Sequence, residues 1–420
     1  MKLLAALMLS CAALAACGEP VPTPAPEPTP EPAPETAAAP VADPMQGDGG
    51  VDAFYTPDAT ITAQPGNLIR TAPQPPETSL SEAGQALRLL YSSTNGLGDA
   101  KTPIAVSGTL FLPKGEAPDS GWPLIAWAHG TVGIADICAP SNRPRSDRDQ
   151  KYLNHWLSQG YAVVASDYQG LGTPGGHPYL ATRPAAYSVL DSIRAVQGDP
   201  ALNIGKPVVL VGQSQGGGAA FATASEAATY APELDIRGTV ATGTPYFTMD
   251  TAPAVRDPEA VSGLLAYSMY IMYLAEQADP LFKIADYASL PARPFFESTR
   301  TQCLMDTWNK IEDEKMSQAT MFTNDPTPAM AKFFPLMAYS SLKVKGPVFM
   351  GTGGKDADVP PAGQERLFKD ACAAGSVIQH KVYPDLDHSA TVNGSLADST
   401  PFVKKAFAGE AIAGNCPAAG

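Results

Sequence analysis

One short run carries the first sign of chemistry. Val208-Val-Leu-Val-Gly212-Gln-Ser214-Gln-Gly216-Gly-Gly closes an apolar, β-branched stretch and opens a small-residue segment of helical character. In that setting, Gly-x-Ser-x-Gly holds a serine on a strained strand-to-helix turn with its hydroxyl presented for attack. Gly212 and Gly216 leave room for close backbone packing. Gln215 then offers its backbone N–H, at a helix N-terminus, to a developing oxyanion.

A serine nucleophile needs a base. The chain has five histidines: His129, His155, His177, His380 and His388. His155 falls in a helical pattern well upstream, and His380 sits mid-strand. His388 follows the last strand pattern, in Tyr383-Pro-Asp-Leu-Asp-His388-Ser, and its late position fits the chain order Ser…Asp…His. The acid belongs after the preceding strand. There Val348-Phe-Met-Gly-Thr-Gly353-Gly-Lys-Asp356-Ala-Asp358-Val-Pro360 supplies two carboxylates, Asp356 and Asp358. Asp385 and Asp387, close to His388 in sequence, read as loop polars.

Such residues need a frame. Strand patterns fall at Ala86–Tyr91, Ala105–Leu112, Leu124–Ala128, Tyr161–Ser166, Val208–Gly212, Gly238–Thr242, Val348–Gly351 and Val377–Tyr383. Helical periods lie between most of them, at Asp149–Gln159, Ala185–Gln197, Gln215–Tyr230 and Pro361–Cys372. Buried runs alternating with helices predict an α/β fold, with a mostly parallel central sheet and helices on both faces. Residues 246–340 break the alternation with helical patterns and no strand, as an insertion above the sheet.

The chain has 420 residues, 44% of them apolar and 17% charged, which suffices for a sizeable core. Its net charge of -14 repels phosphate backbones and argues against nucleic-acid partners. Neither His-x-x-x-His nor Cys-x-x-Cys occurs, and Asp356-x-Asp358 alone is too little for a metal site. Gly170-x-Gly172-x-x-Gly175 imitates a dinucleotide fingerprint, but Pro174 and Pro178 prevent the helix that must receive a pyrophosphate.

Further motifs make the pattern specific. Trp127-Ala-His129-Gly130-Thr131-Val-Gly133, Cys138-Ala-Pro-Ser141 and Asp167-Tyr168-Gln-Gly170-Leu-Gly172-Thr-Pro174 join the serine run and the two later loops. From about residue 84 to the C-terminus, the chain resembles the secretory lipase family of α/β-hydrolases. The resemblance implies a serine esterase or lipase with Ser214 as nucleophile, His388 as base and no cofactor. Gly353-x-x-Asp356-x-x-Val-Pro is the spacing usual in such enzymes, which prefers Asp356 over Asp358 as the acid. By the same resemblance the His129-Gly130 segment lines the oxyanion hole, with the second N–H from Thr131 or, alternatively, Gly130. The insertion at 246–340 then corresponds to a helical cap. Its Met- and Tyr-rich run Leu264–Leu274 either fills the cap's own core or lines an acyl-chain tunnel. A serine peptidase or amidase on the same scaffold is the alternative reaction, and a binding module on a retired hydrolase fold is the non-enzymatic one.

The N-terminal region reads as a targeting device. Met1-Lys2 and the apolar run Leu3–Ala16 form a leader too short to span a bilayer comfortably. Leu14-Ala15-Ala16-Cys17-Gly18 resembles the lipobox of bacterial lipoproteins, which makes residues 1–16 a signal peptide and Cys17 the lipidated first mature residue. That implies an exported protein anchored in the cell envelope, on the outer membrane. Cys11 is a poorer acceptor. Residues 17–44 hold ten prolines, alternating from Pro20 to Pro34, and form an extended tether. Residues 45–80 read as an irregular arm, and 81–420 as the hydrolase domain. Removing Cys11 and lipidating Cys17 leaves four cysteines, whose even number in an exported protein suggests two disulfides. Cys138–Cys303, tying an active-site loop to the cap, and Cys372–Cys416, fastening the C-terminal tail, are the favoured pairs.

Overall fold

The computed structural model describes residues 50–57, 61, 64–98, 101–248 and 257–417. The leader, Cys17 and the tether to residue 44 lie outside the described residues. Nine strands form one sheet among the described residues: β1 (Leu68–Pro73), β2 (Ala83–Thr94), β3 (Pro103–Pro113), β4 (Trp122–Ala128), β5 (Ala162–Ser166), β6 (Ile204–Gln213), β7 (Asp235–Thr242), β8 (Val348–Gly353) and β9 (Ile378–Tyr383). Their spatial order is β1-β2-β3-β5-β4-β6-β7-β8-β9. The first three strands pair antiparallel, and β3 meets β5 antiparallel. From β5 across to β9 every pairing is parallel. This is the α/β-hydrolase arrangement.

The helices of the first half are α1 (Asp147–Ser158), α2 (Thr182–Gly198) and α3 (Gln215–Tyr230). Between β7 and β8 come α4 (Leu265–Ala278), α5 (Arg293–Ser298), α6 (Leu304–Asp313), α7 (Gln318–Met321), α8 (Thr327–Met330) and α9 (Phe334–Met337). The last three are α10 (Pro361–Ala373), α11 (Ala390–Gly394) and α12 (Leu396–Ala408).

Successive strand residues point to opposite faces, so each central strand feeds two cores. Leu124, Ala126, Val164, Val208 and Leu210 pack with α2 and α3 on one face. Ile125, Trp127, Val163, Val209 and Val211 pack with α1 and α12 on the other. Both faces being covered, β5 is buried along its whole length and β4, β6 and β7 along most of theirs. That is why their sequences are nearly continuous apolar runs.

The sheet begins earlier than the sequence reading expected. Residues 45–80 are not wholly irregular: Leu68–Pro73 forms β1, an edge strand paired only with β2, and Ala53–Tyr55 makes a short 3-10 turn. Proline is tolerated at such an edge because one side of the strand donates to nothing.

The segment between β7 and β8 gathers a separate core, which it closes against Ile134, Tyr179 and Ala181 of the body. Met269, Tyr270, Met272, Tyr273, Phe296 and Ile311 are buried together in it. Met269 and Met272 are 0% and 1% exposed, so the Met- and Tyr-rich run is mainly interior to the cap. The tunnel expectation for those two residues is corrected on that ground.

Candidate active site

Ser214 sits between β6 and α3 with φ 60° and ψ -125°, a left-sided backbone that a non-glycine residue adopts only under constraint. The constraint is visible around it. A Cβ on Gly212 would run into the Gly216 carbonyl, and a Cβ on Gly216 into the Ala128 carbonyl. The Ser214 N–H donates to Thr242 O at 2.9 Å, tying the turn to β7. The Gln215 N–H, first in α3, has no partner among the described residues and points where helix N-termini favour negative charge.

His388 and Asp356 lie at the C-terminal ends of β9 and β8. The His388 Nδ1–H donates to Asp356 Oδ2 at 2.8 Å. The same oxygen accepts from Gln364 Nε2 at 3.0 Å, while Oδ1 accepts from the Asp358 and Val359 N–H groups at 3.1 and 2.8 Å. Four donors hold this buried carboxylate in place. With Nδ1 committed as donor, neutral His388 keeps its lone pair at Nε2. There Gln213 Nε2 donates at 2.9 Å. Gly243, at φ 56°, abuts the imidazole: a Cβ would meet His388 Cε1 at 2.7 Å.

The other residues singled out from the sequence have partners of their own. Asp358 turns to the cap, accepting from the Tyr267 hydroxyl of α4 at 3.0 Å. Ligand atoms of Asp356, Asp358 and His388 lie within 4.8 Å of one another, but the Asp356 oxygens and His388 Nδ1 are already engaged with each other and with protein donors. Thr131 follows β4, its hydroxyl bonded to the Tyr179 hydroxyl at 2.7 Å. Its N–H has no partner among the described residues. His155 meets Thr400 on the far side of α1, and His380 lies in β9 against Thr352. The His177 Nδ1–H donates to Gln169 O, its Nε2 accepts from the Gln215 side chain at 3.0 Å, and burial holds its pKa down to about 4. Burial likewise lowers His129, stacked on Tyr168. Asp385 pairs with Lys355 at the surface, and Asp387 caps the Ala390 N–H. Gly170, Gly172 and Gly175, all with positive φ, form a turn-rich loop.

Three contributors escaped the sequence reading. Gln213 is the unspecified residue of the serine motif, Gln364 lies eight residues beyond the acid, and Gly243 follows β7. Only Gly243 leaves a local signal, as a glycine ending a strand beside the serine turn.

Residues 145–415 match the secretory lipase family. The chain belongs to the secretory lipase family. Membership places it among the carboxylic ester hydrolases. Its relatives include Lipase A of Moesziomyces aphidis, 26% identical over 383 residues, covering 85% of this chain and 80% of that protein. A probable inactive lipase of Mycobacterium tuberculosis is 32% identical over 208 residues, 45% of this chain and 44% of that one. The X-ray structure of Candida antarctica lipase A in its closed state superposes with a TM-score of 0.70 at 23% identity, covering 88% and 89% of the two chains. That likeness shows the fold.

In this secretory lipase family member two disulfides are formed among the described residues. Cys138 is bonded to Cys303 and Cys372 to Cys416. The first joins the loop after β4 to the cap, where Leu304 N–H also donates to Val132 O at 2.8 Å. A narrow cavity beside Gln215 is lined by Tyr168, His177, Ala219, Phe247 and Met337, among others. A second, of about 220 Å³, lies against Leu97, Arg183, Glu226 and Leu336. The two share Ala181, Thr182, Pro184 and Tyr339 in their walls; neither is lined by Met269 or Met272. No helix among the described residues is long and apolar enough to cross a membrane.

Proposed function

We propose that the protein is an exported, lipid-anchored serine esterase or lipase that works through Ser214, His388 and Asp356. Ser214 Oγ attacks the ester carbonyl while its proton passes to His388 Nε2. The carbonyl electron pair moves onto oxygen, facing the N–H groups of Gln215 and Thr131. Asp356 holds the imidazole in the tautomer with Nδ1 protonated and stabilises the imidazolium that forms. The Nε2 proton then leaves with the alcohol, and water hydrolyses the acyl-enzyme by the same steps in reverse order.

One observation carries this reading: the His388–Asp356 hydrogen bond of 2.8 Å beside a serine held at φ 60°. The N–H groups of Gln215 and Thr131, without partners among the described residues, support it further. Since one relative is a probable inactive lipase, these occupied positions matter more to the reading than family membership does.

The acyl chain is assigned to the cavities reached past Gln215 and bounded by Ala181 and Tyr339, rather than to the interior of α4. Residues 1–16 serve as signal peptide, lipidated Cys17 as anchor and residues 17–44 as tether, with 246–340 as cap.

The test is turnover of p-nitrophenyl esters by the purified protein, with matched anilides to separate ester from amide cleavage. A fluorophosphonate should add once, on the Ser214 peptide. Ester turnover that survives Ser214→Ala undiminished would remove the proposal.

A further inference from the structure

The lone pair that His388 must offer to Ser214 is already in use. Its Nδ1–H is donated to Asp356, so neutral His388 has one acceptor site, at Nε2, and the Gln213 amide N–H fills it at 2.9 Å. Ser214 Oγ makes no hydrogen bond among the described residues. The fit is built in from both sides. Gln213 ends β6, registered against Thr242 of β7, and is 1% exposed. Across from it Gly130 leaves the space in which the amide lies: a Cβ there would stand 2.5 Å from Gln213 Oε1.

We propose that Gln213 is a positioning residue that caps the base in the resting site and must withdraw from His388 Nε2 before Ser214 can be deprotonated. This rests on the triad reading above. An imidazole nitrogen has a single in-plane lone pair, so it cannot take a proton from Ser214 Oγ while an amide donor occupies it. When the serine proton has moved to Nε2, that nitrogen becomes a donor. The amide N–H then faces an N–H, and only its oxygen, turned inward, is compatible with the charged ring. Gln213 thus fills the one acceptor site that the reaction needs free, and its N–H has no role beside a ring that carries the serine proton.

The arrangement separates two things that a triad alone leaves joined. Orientation of His388 is set by Asp356 and Gly243, whereas the availability of its lone pair is set by Gln213. A substrate that enters the site and reaches the oxyanion donors must also displace the amide.

The experiment compares wild type with Gln213→Leu, which fills similar space without a donor, and Gln213→Glu, whose carboxylate accepts from Nε2–H. Phosphonylation of Ser214 by a small alkyl fluorophosphonate should run about fivefold faster in Gln213→Leu, the equivalent of one neutral hydrogen bond. In Gln213→Glu the acid limb of the kcat/KM profile should move to higher pH by about one unit, because the charged ring gains an acceptor. A merely structural Gln213 would instead lower Tm and slow every reaction in proportion, with the profile unmoved. That result overturns the proposal. The wild-type crystal structure after phosphonylation gives a reading independent of variant folding. Gln213 Nε2 drawn beyond 3.5 Å from His388 Nε2 supports the cap, and retention of the contact beside a phosphonylated serine refutes it. Absence of any Ser214 adduct would refute the triad reading instead.

Discussion

Asp356 and Asp358 stand two residues apart and serve different elements: the first accepts from His388 Nδ1 at 2.8 Å, the second from the cap hydroxyl of Tyr267 at 3.0 Å. The two substitutions should therefore separate cleanly. Ser214→Ala or His388→Ala should lower kcat by about a millionfold, and Asp356→Asn by about ten-thousandfold, with the fold retained by circular dichroism. Asp358→Asn should cost less than about tenfold, since it weakens one hydrogen bond to the cap. A dead Asp358→Asn beside an active Asp356→Asn would reverse the assignment of the acid.

Met272→Trp places a larger ring in a closed core. It should lower stability by about 1–3 kcal/mol through overpacking and reduce turnover of all esters alike. The acyl-length profile, normalised to acetyl ester, should not change.

Ala181→Phe should do the opposite. Its side chain would narrow the wall common to both cavities, reducing kcat/KM for long-chain esters by about tenfold while sparing acetyl ester. Equal loss across chain lengths would move the acyl path elsewhere.

His177 should make the protein acid-sensitive. Burial holds its pKa at about 4 against an ordinary 6.5, so between those values the unfolded chain binds a proton that the folded one does not. Stability from this group is intact above pH 6.5 and falls as pH drops towards 4, by about 3 kcal/mol in all. Denaturant melts of wild type should therefore lose more stability from pH 7.5 to 4.5 than those of His177→Gln. Equal slopes would deny the buried, neutral state.

Cys17→Ser should release the protein from membranes into the soluble envelope fraction, because the lipid supplies the only anchor in the proposed arrangement. Continued sedimentation with membranes would refute lipidation at Cys17.

The parts of this molecule legible in the sequence are those enforced locally. Gly212 and Gly216 announce the serine turn because any side chain there would enter a neighbouring carbonyl. The apolar runs of β4 to β7 announce a sheet covered on both faces. β1 was hidden because Pro73 and the surrounding prolines suggest irregular chain, whereas an edge strand needs only one partner. Gln213, Gln364 and Tyr267 were hidden for a different reason. Their contacts with His388, Asp356 and Asp358 are set by where separate elements dock, and a glutamine or tyrosine has no spacing that reveals its partner. The run Leu264–Leu274 left two readings open because apolar, flexible side chains suit a core and a lipid channel equally; only burial distinguishes them.

The bond between Cys138 and Cys303 holds two Cα atoms 5.5 Å apart, one in the loop that follows Thr131 and one at the start of α6. Whatever displacement the cap undergoes, that corner travels with the loop that carries Thr131. Away from that corner the Tyr267 hydroxyl donates to Asp358 at 3.0 Å, the Gln277 amide to His177 O at 3.2 Å and the Thr182 hydroxyl to Ala338 O at 2.7 Å. The cap is therefore riveted at one corner, beside Thr131, and elsewhere laid against the body by separable hydrogen bonds and apolar packing on Ile134, Tyr179 and Ala181.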